Sequence, residues 1–153
     1  MKKIFLSLAA VALMGISAFA NGNGNDENVS QKTLAAFKSD FTNATHTTWE
    51  QKDGFIKATF SFNGQVLCAY YNNDGELKAV VRNIVSDQLP INLLASLKND
   101  YADYWITDLF EISADNETTY YVTVENGDKK IVLKSDGAAY WNVFSKQKKT
   151  SAE

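Results

Sequence analysis

The sequence predicts an α+β fold: a tandem repeat of a helix packed on an antiparallel β-meander, with the two sheets either separate or joined into one continuous sheet. Three observations carry this prediction. The phrase LAAFKSDF at Leu34–Phe41 returns sixty residues later as LASLKNDY at Leu94–Tyr101. Hairpin-turn residues follow each copy in matching order. Between the turns, apolar and polar residues alternate with the two-residue period of a strand that has one covered face.

Met1-Lys2-Lys3 is a basic start, Ile4 to Phe19 is apolar and rich in small residues, and Ala18-Phe19-Ala20 is an A-x-A cleavage signal. Residues 1–20 read as a secretory signal peptide, since the run falls short of the roughly 20 strongly apolar residues a membrane span needs. The chain beyond it holds no second such run, so no membrane span is expected after cleavage. Residues 21–28 are a polar, glycine-rich leader. The first repeat is placed at 29–85, the second at 86–145, and a charged, frayed tail at 146–153.

Removing Lys2 and Lys3 from the 15 basic residues leaves 13 against 18 acidic ones, a net charge of −5. That balance argues against a nucleic-acid partner. The single cysteine, Cys68, cannot form an internal disulfide, so an exported chain of this kind is held by its core. Its 45% apolar and 12% aromatic residues are enough for one.

The first helix is expected to start at Ser30, a good N-cap, and to bury Leu34, Phe37 and Phe41. Asn63-Gly64 is a two-residue hairpin loop, Asp53-Gly54 is a further turn, and Asn73-Asp74-Gly75 is a three-residue loop with glycine at the left-handed position. The second helix opens around Asp87 to Pro90 and buries Leu94, Leu97 and Tyr101. Its turns are Ala114 to Glu117, the two-residue Asn126-Gly127 and the three-residue Ser135-Asp136-Gly137.

These turns fix the register. One face carries Trp49, Ile56, Ala58, Phe60, Leu67, Ala69, Tyr71, Leu77, Ala79 and Val81, and its counterpart Tyr120, Val122, Val124, Ile131, Leu133, Ala139, Trp141 and Val143. Both are apolar, as a helix-covered face requires. Glu50 falls opposite Lys57 as a cross-strand pair. The other face carries Lys57, Lys78, Arg82, Lys130 and Lys134 without a carboxylate in the three-stranded cores, interleaved with Tyr70, Tyr121 and Tyr140. These eight residues are the candidate ligand-binding set, for a protein, peptide or anionic ligand. The competing reading is ordinary solvated strand surface, with lysines guarding the edges.

The helix phrase, Trp49-Glu50, the run YYNNDGEL at Tyr70–Leu77 and Leu89-Pro90 before the second helix together resemble the PepSY-like family of exported bacterial proteins. That family is also described as similar to the β-lactamase inhibitor protein. The resemblance covers about Val29 to Tyr140. It implies a tandem helix-plus-sheet repeat, a periplasmic or secreted location and no settled biochemical role. The second copy departs from the pattern at Leu109-Phe110-Glu111, where the tryptophan is missing, and at Gly137-Ala138-Ala139.

No catalytic constellation stands out. Cys68 would need a base beside it, and the one histidine, His46, lies on a different predicted strand. One His and one Cys do not make a zinc site, and the loops at Asp74 and Asp136 lack the ligand spacing of a calcium loop. Neither a metal nor a cofactor is expected. Three function classes follow: a non-enzymatic exported binding module that presents its uncovered sheet face, an inhibitor of a secreted hydrolase, and a small enzyme with an unrecognised site.

Overall fold

Ser30 opens the first helix: its Oγ accepts the Thr33 N–H at 3.1 Å and lies 2.9 Å from the Thr33 hydroxyl. This satisfies one of the donors that a helix start leaves free. The computed structural model describes residues 29–52 and 54–149. The expected signal peptide and leader, and the last four residues of the tail, lie outside the described residues. The elements in order are α1 (Gln31–Asp40), β1 (Thr45–Lys52), β2 (Phe55–Phe62), β3 (Gln65–Tyr71), β4 (Leu77–Asn83), a 3₁₀ turn at Ser86–Gln88, α2 (Ile91–Asp100), β5 (Trp105–Ala114), β6 (Glu117–Glu125), β7 (Lys129–Asp136) and β8 (Tyr140–Lys148). The strands follow one another in chain order in an eight-stranded sheet. The chain divides into two units, one ending at Val81 and one beginning at Arg82. That division lies inside β4, ahead of the boundary after residue 85 read from the sequence.

In the first unit, α1 buries Thr33 and Phe37. Phe37 stands edge-on to Trp49 and Phe60, with ring centroids 5.0 and 4.9 Å away. Ile56, Ala58, Ala69 and Tyr71 complete the cluster, while Leu34 and Phe41 pack on it only partly buried. Thr33 was not in the expected stripe. It is fully buried because its hydroxyl is satisfied by Ser30 one turn back, which removes the cost of enclosing it. Tyr71 donates its hydroxyl proton to Asp40 Oδ2 at 3.0 Å, tying β3 to the end of α1. Leu77, expected on the covered face, is exposed at the start of β4.

The turns explain the register. Asn63 and Gly64, both at positive φ, link the Phe62–Gln65 pair. In the β3–β4 connection, Asn72 Oδ1 accepts the N–H groups of Asp74 and Glu76. Gly75 there sits at φ +78°, where a Cβ would come within 3.0 Å of the α1 backbone at Lys32. Glycine is required both by conformation and by that approach.

In the second unit, α2 buries Leu93 and Leu97, and Leu97 packs in a cluster with Ile84, Leu89, Leu109, Val122, Val124, Ile131 and Leu133. Leu94 and Tyr101, expected in the stripe, are only partly buried, and Leu93 takes the innermost position. The indole N–H of Trp141 donates to Leu93 O at 2.9 Å, so β8 holds the helix by a polar as well as an apolar contact.

The correspondence between the helices runs past their ends. Buried Thr33 and Phe37 match buried Leu93 and Leu97 at the same sixty-residue offset. The exit bonds, Ala44 N–H to Phe41 O and Tyr104 N–H to Tyr101 O, match too. Both following strands carry an irregularity, between Thr45 and Thr48 in β1 and between Ile106 and Asp108 in β5.

Two expected connections and the expected tail are corrected. The loop at Asn126-Gly127 is longer than two residues: Glu125 pairs with Lys130, and Asn126 Oδ1 accepts the N–H groups of Asp128 and Lys129. The β7–β8 loop is Gly137–Ala139 instead of Ser135–Gly137, because Asp136 still pairs with Tyr140. Both corrections move the register by an even number of residues, so the face assignments survive there. The tail expected to fray from residue 146 instead continues as β8 to Lys148, hydrogen-bonded to β7. The Asp115-Asn116 turn, both residues at positive φ, joins the Ala114–Glu117 pair.

Candidate functional site

The eight candidate residues were expected to share a solvated face, and the structure places them differently. Lys57 lies opposite Tyr70 and bonds Glu50 Oε2 at 2.9 Å, the cross-strand pair read from the sequence. Lys78 meets Glu76 Oε2 at 2.6 Å, and Glu76 also accepts from Asn72. These two donors hold the Glu76 carboxyl below its ordinary range, Lys78 contributing more. Lys130 reaches Glu125 Oε1 at 3.4 Å, and Lys149 reaches the other oxygen at 2.8 Å. The Glu125 carboxyl is held low, chiefly by Lys149.

Arg82 is on another face. It makes a two-pronged contact with Glu111, Nε to Oε1 at 2.9 Å and a terminal nitrogen to Oε2 at 3.1 Å. Glu111 pairs across the strands with Tyr120, which packs on the Leu97 cluster, so Arg82 stands on the side of the second unit that α2 covers. The expected absence of carboxylates is therefore corrected. Counting only three-stranded cores left out Glu50 on β1, Glu111 on β5, Glu76 in a loop and Glu125 at a strand end.

Lys134 differs from the other four. It has no ion pair among the described residues, and its Nζ lies 5.8 Å from the centre of the Tyr121 ring. Tyr121 is 2% exposed, stacked on Phe110 at 5.3 Å and met edge-on by Phe144 at 5.6 Å. Burial pushes its hydroxyl up to about 12. Tyr70 is 4% exposed, and burial, followed by the charges of Cys68 and Glu50, raises its hydroxyl well above the usual tyrosine value. Expected as contact area, these two tyrosines are interior side chains: strand alternation sets the face a residue points to, while burial of that face is a tertiary property. Tyr140 is exposed as expected, at 52%, and donates to Asp136 Oδ2 at 2.8 Å.

Sequence reasoning missed the exposed apolar side chains of β8. Val143 was assigned to the covered face and is 59% exposed, and Phe144 is 38% exposed. β8 has β7 as its one neighbour in the sheet, and α2 meets it at Trp141, which leaves Val143 open. The shift in the β7–β8 pairing between Val132 and Leu133 also turns Phe144 toward Tyr121. Position as the last strand was the available signal.

Cys68 is buried, with Sγ 3.6 Å from Thr59 Oγ1. His46, at positive φ on β1, lies 3.2 Å from the Thr45 hydroxyl, and β2 runs between its strand and that of Cys68. Among the described residues no three potential ligands gather around a metal position, and no buried side-chain polar atom lacks a hydrogen-bond partner. The geometry offers packing surface and charged groups that are mostly paired with one another.

No family model and no curated protein matches the chain. Solved structures do. A BLIP-like protein from Bacteroides fragilis is 24% identical, with 84% of this chain and 95% of that one covered at a TM-score of 0.67. A DUF2874 family protein from Bacteroides ovatus is 18% identical over 79% of this chain and 88% of its own, at 0.69. A protein from Bacteroides eggerthii, described as a proposed periplasmic protein, is 14% identical over 78% and 88%, also at 0.69. At these identities the likeness establishes the fold: an antiparallel sheet of eight strands with two helices, of the BLIP-like α+β kind.

Proposed function

We propose that the chain is an exported, non-enzymatic module that holds a protein or peptide partner on the exposed apolar side chains of β8. The observation that carries this reading is the exposure of Tyr140, Val143 and Phe144 on one strand of a unit whose other apolar residues are mostly enclosed. Tyr140 and Phe144 lie on the face of Tyr121 and Val143 on the opposite one, so exposed apolar groups occupy both faces of this one strand, and grouped apolar exposure marks interaction sites more than single residues do. The anionic-ligand version is less favoured, because four of the five candidate cations already meet carboxylates. Inhibition of a secreted hydrolase is a narrower form that would use the same aromatics.

Export is supported by the signal-like first twenty residues and by the likeness to a proposed periplasmic protein. Among the described residues no helix is long and apolar enough to cross a membrane. The two units are read as copies of one helix-plus-meander repeat, as in the PepSY-like resemblance. Two ten-residue helices with matched buried positions, each followed by four strands, support it.

The test is affinity capture from periplasmic extract of the source bacterium, comparing the chain with Tyr140→Ala/Val143→Ser/Phe144→Ser. Loss of the captured protein with an unchanged melting temperature supports the reading. Identical capture by both would end it. Loss on Lys134→Glu with the β8 residues intact would move the reading to an anionic ligand.

A further inference from the structure

The end of the second unit's sheet where β7 begins and β8 finishes is crowded with lysine. Lys129 stands directly opposite Lys148, Lys130 opposite Gln147 and Ile131 opposite Lys146, and Lys149 follows. Lys130 and Lys149 share Glu125. Lys129, Lys146 and Lys148 lie on the other face by strand alternation. None of these three makes an ion pair with any described residue, the adjacent Asp128 included. Like charges opposed across two strands destabilise a sheet, and an anion laid across them removes that cost.

Two exposed apolar side chains flank the lysines. Trp105, 52% exposed, pairs with Glu125 and has the Lys149 ammonium 4.9 Å from its ring centre. Ile106, 42% exposed, pairs with Val124 on the face of the three unpaired lysines. Tryptophan beside lysine is the pairing found at lipid headgroup level, where the indole has an apolar body and a polar N–H.

We propose that this sheet end is a docking surface for a membrane bearing anionic phospholipid. Charge complementarity selects an anionic partner, in a chain whose charge without residues 1–20 is net negative. The arrangement selects a planar one: lysines and apolar groups sit on both faces of the same sheet end, which a plane meeting the sheet end-on contacts together. An extended acidic peptide would reach one face. The surface is separate from Tyr140, Val143 and Phe144, which occupy the first half of β8, so the two proposals stand or fall independently.

The experiment is co-sedimentation of the chain beginning at residue 21 with vesicles of phosphatidylglycerol and phosphatidylcholine, and with vesicles of phosphatidylcholine alone. Binding to the anionic vesicles only is expected, weakening about tenfold between ~50 and ~500 mM salt as charges are screened. Lys129→Glu/Lys148→Glu should abolish binding while the melting temperature stays within a few degrees. Trp105→Phe should remove the vesicle-induced blue shift of tryptophan emission. Equal binding to both vesicle types, no binding to either, or full binding by the double variant would overturn the proposal. Binding of polyglutamate without binding of vesicles would also overturn it, assigning the patch to an acidic protein.

Discussion

Arg82 and Glu111 meet in a two-pronged ion pair, 2.9 and 3.1 Å, on the side of the second unit that α2 covers. A fork of this kind fixes orientation as well as charge. Glu111 is the more enclosed partner, its side chain 14% exposed. Glu111→Gln should destabilise by about 1 to 2 kcal/mol, the lower part of the range for hydrogen bonds to charged groups because Arg82 is partly solvated. Arg82→Lys, which keeps the charge and loses the fork, should cost a similar amount. Urea denaturation of both variants checks this, and no change in either would mean solvent replaces the pair at no cost.

Asp108 gives a pH dependence with a definite sign. Burial raises its carboxyl above the ordinary 3.8, against the opposing pull of the Leu109 backbone N–H and the Lys130 charge. The folded state therefore binds this proton more tightly than the unfolded chain does. The ionised group is unfavourable above its folded value, and the effect disappears below 3.8, where both states are protonated. Asp108→Asn should raise the melting temperature at pH 7, with the gain shrinking as pH falls through the carboxylate range. A gain that is independent of pH would contradict this cause.

Gly64 and Gly75 make a matched pair. Both have positive φ, but an added Cβ meets nothing within 4 Å at Gly64 and backbone at 3.0 Å at Gly75. Gly64→Ala should cost about 1 to 2 kcal/mol from conformation alone. Gly75→Ala should cost clearly more, since α1 has to shift as well. Equal losses by thermal denaturation would show that the loop moves freely away from the helix.

The helix anchors should be the most sensitive positions. Phe37→Ala empties the centre of an aromatic cluster and should cost about 3 to 5 kcal/mol. Leu97→Ala should cost about 2 to 5 kcal/mol. Ser30→Ala, which removes the α1 cap, should cost about 1 kcal/mol, and also leaves the buried Thr33 hydroxyl without its partner. Chemical denaturation orders the three, and a Phe37 loss below that of Ser30 would contradict the packing.

Export makes a separate prediction. Intact mass of the secreted protein should correspond to a chain starting at Asn21, and a mass retaining Met1 to Ala20 would contradict cleavage.

The sequence by itself determined both helices, their sixty-residue spacing, the turns at Gly54, Asn63, Asn73 and Asp115, and the alternation of strand faces. Each of these is local: a cap, a glycine or asparagine that accepts positive φ, a period of two or of 3.6 residues. Even where a loop was misjudged, as at Asn126, an even shift left the faces intact. Only the tertiary structure decided which side chains on those faces are open to solvent. Tyr70 and Tyr121 alternate onto the face read as uncovered and are buried, whereas Val143 alternates onto the covered face and is exposed. Likewise, Arg82 meets Glu111, 29 residues away on β5, through tertiary structure alone, whereas Glu50 was foreseen opposite Lys57, and Glu76 and Glu125 lie close in sequence to Lys78 and Lys130 just outside the strands that were counted. Period and charge count say which way a residue points. What it then meets depends on where the sheet ends and on which strand edges and loops are brought beside it.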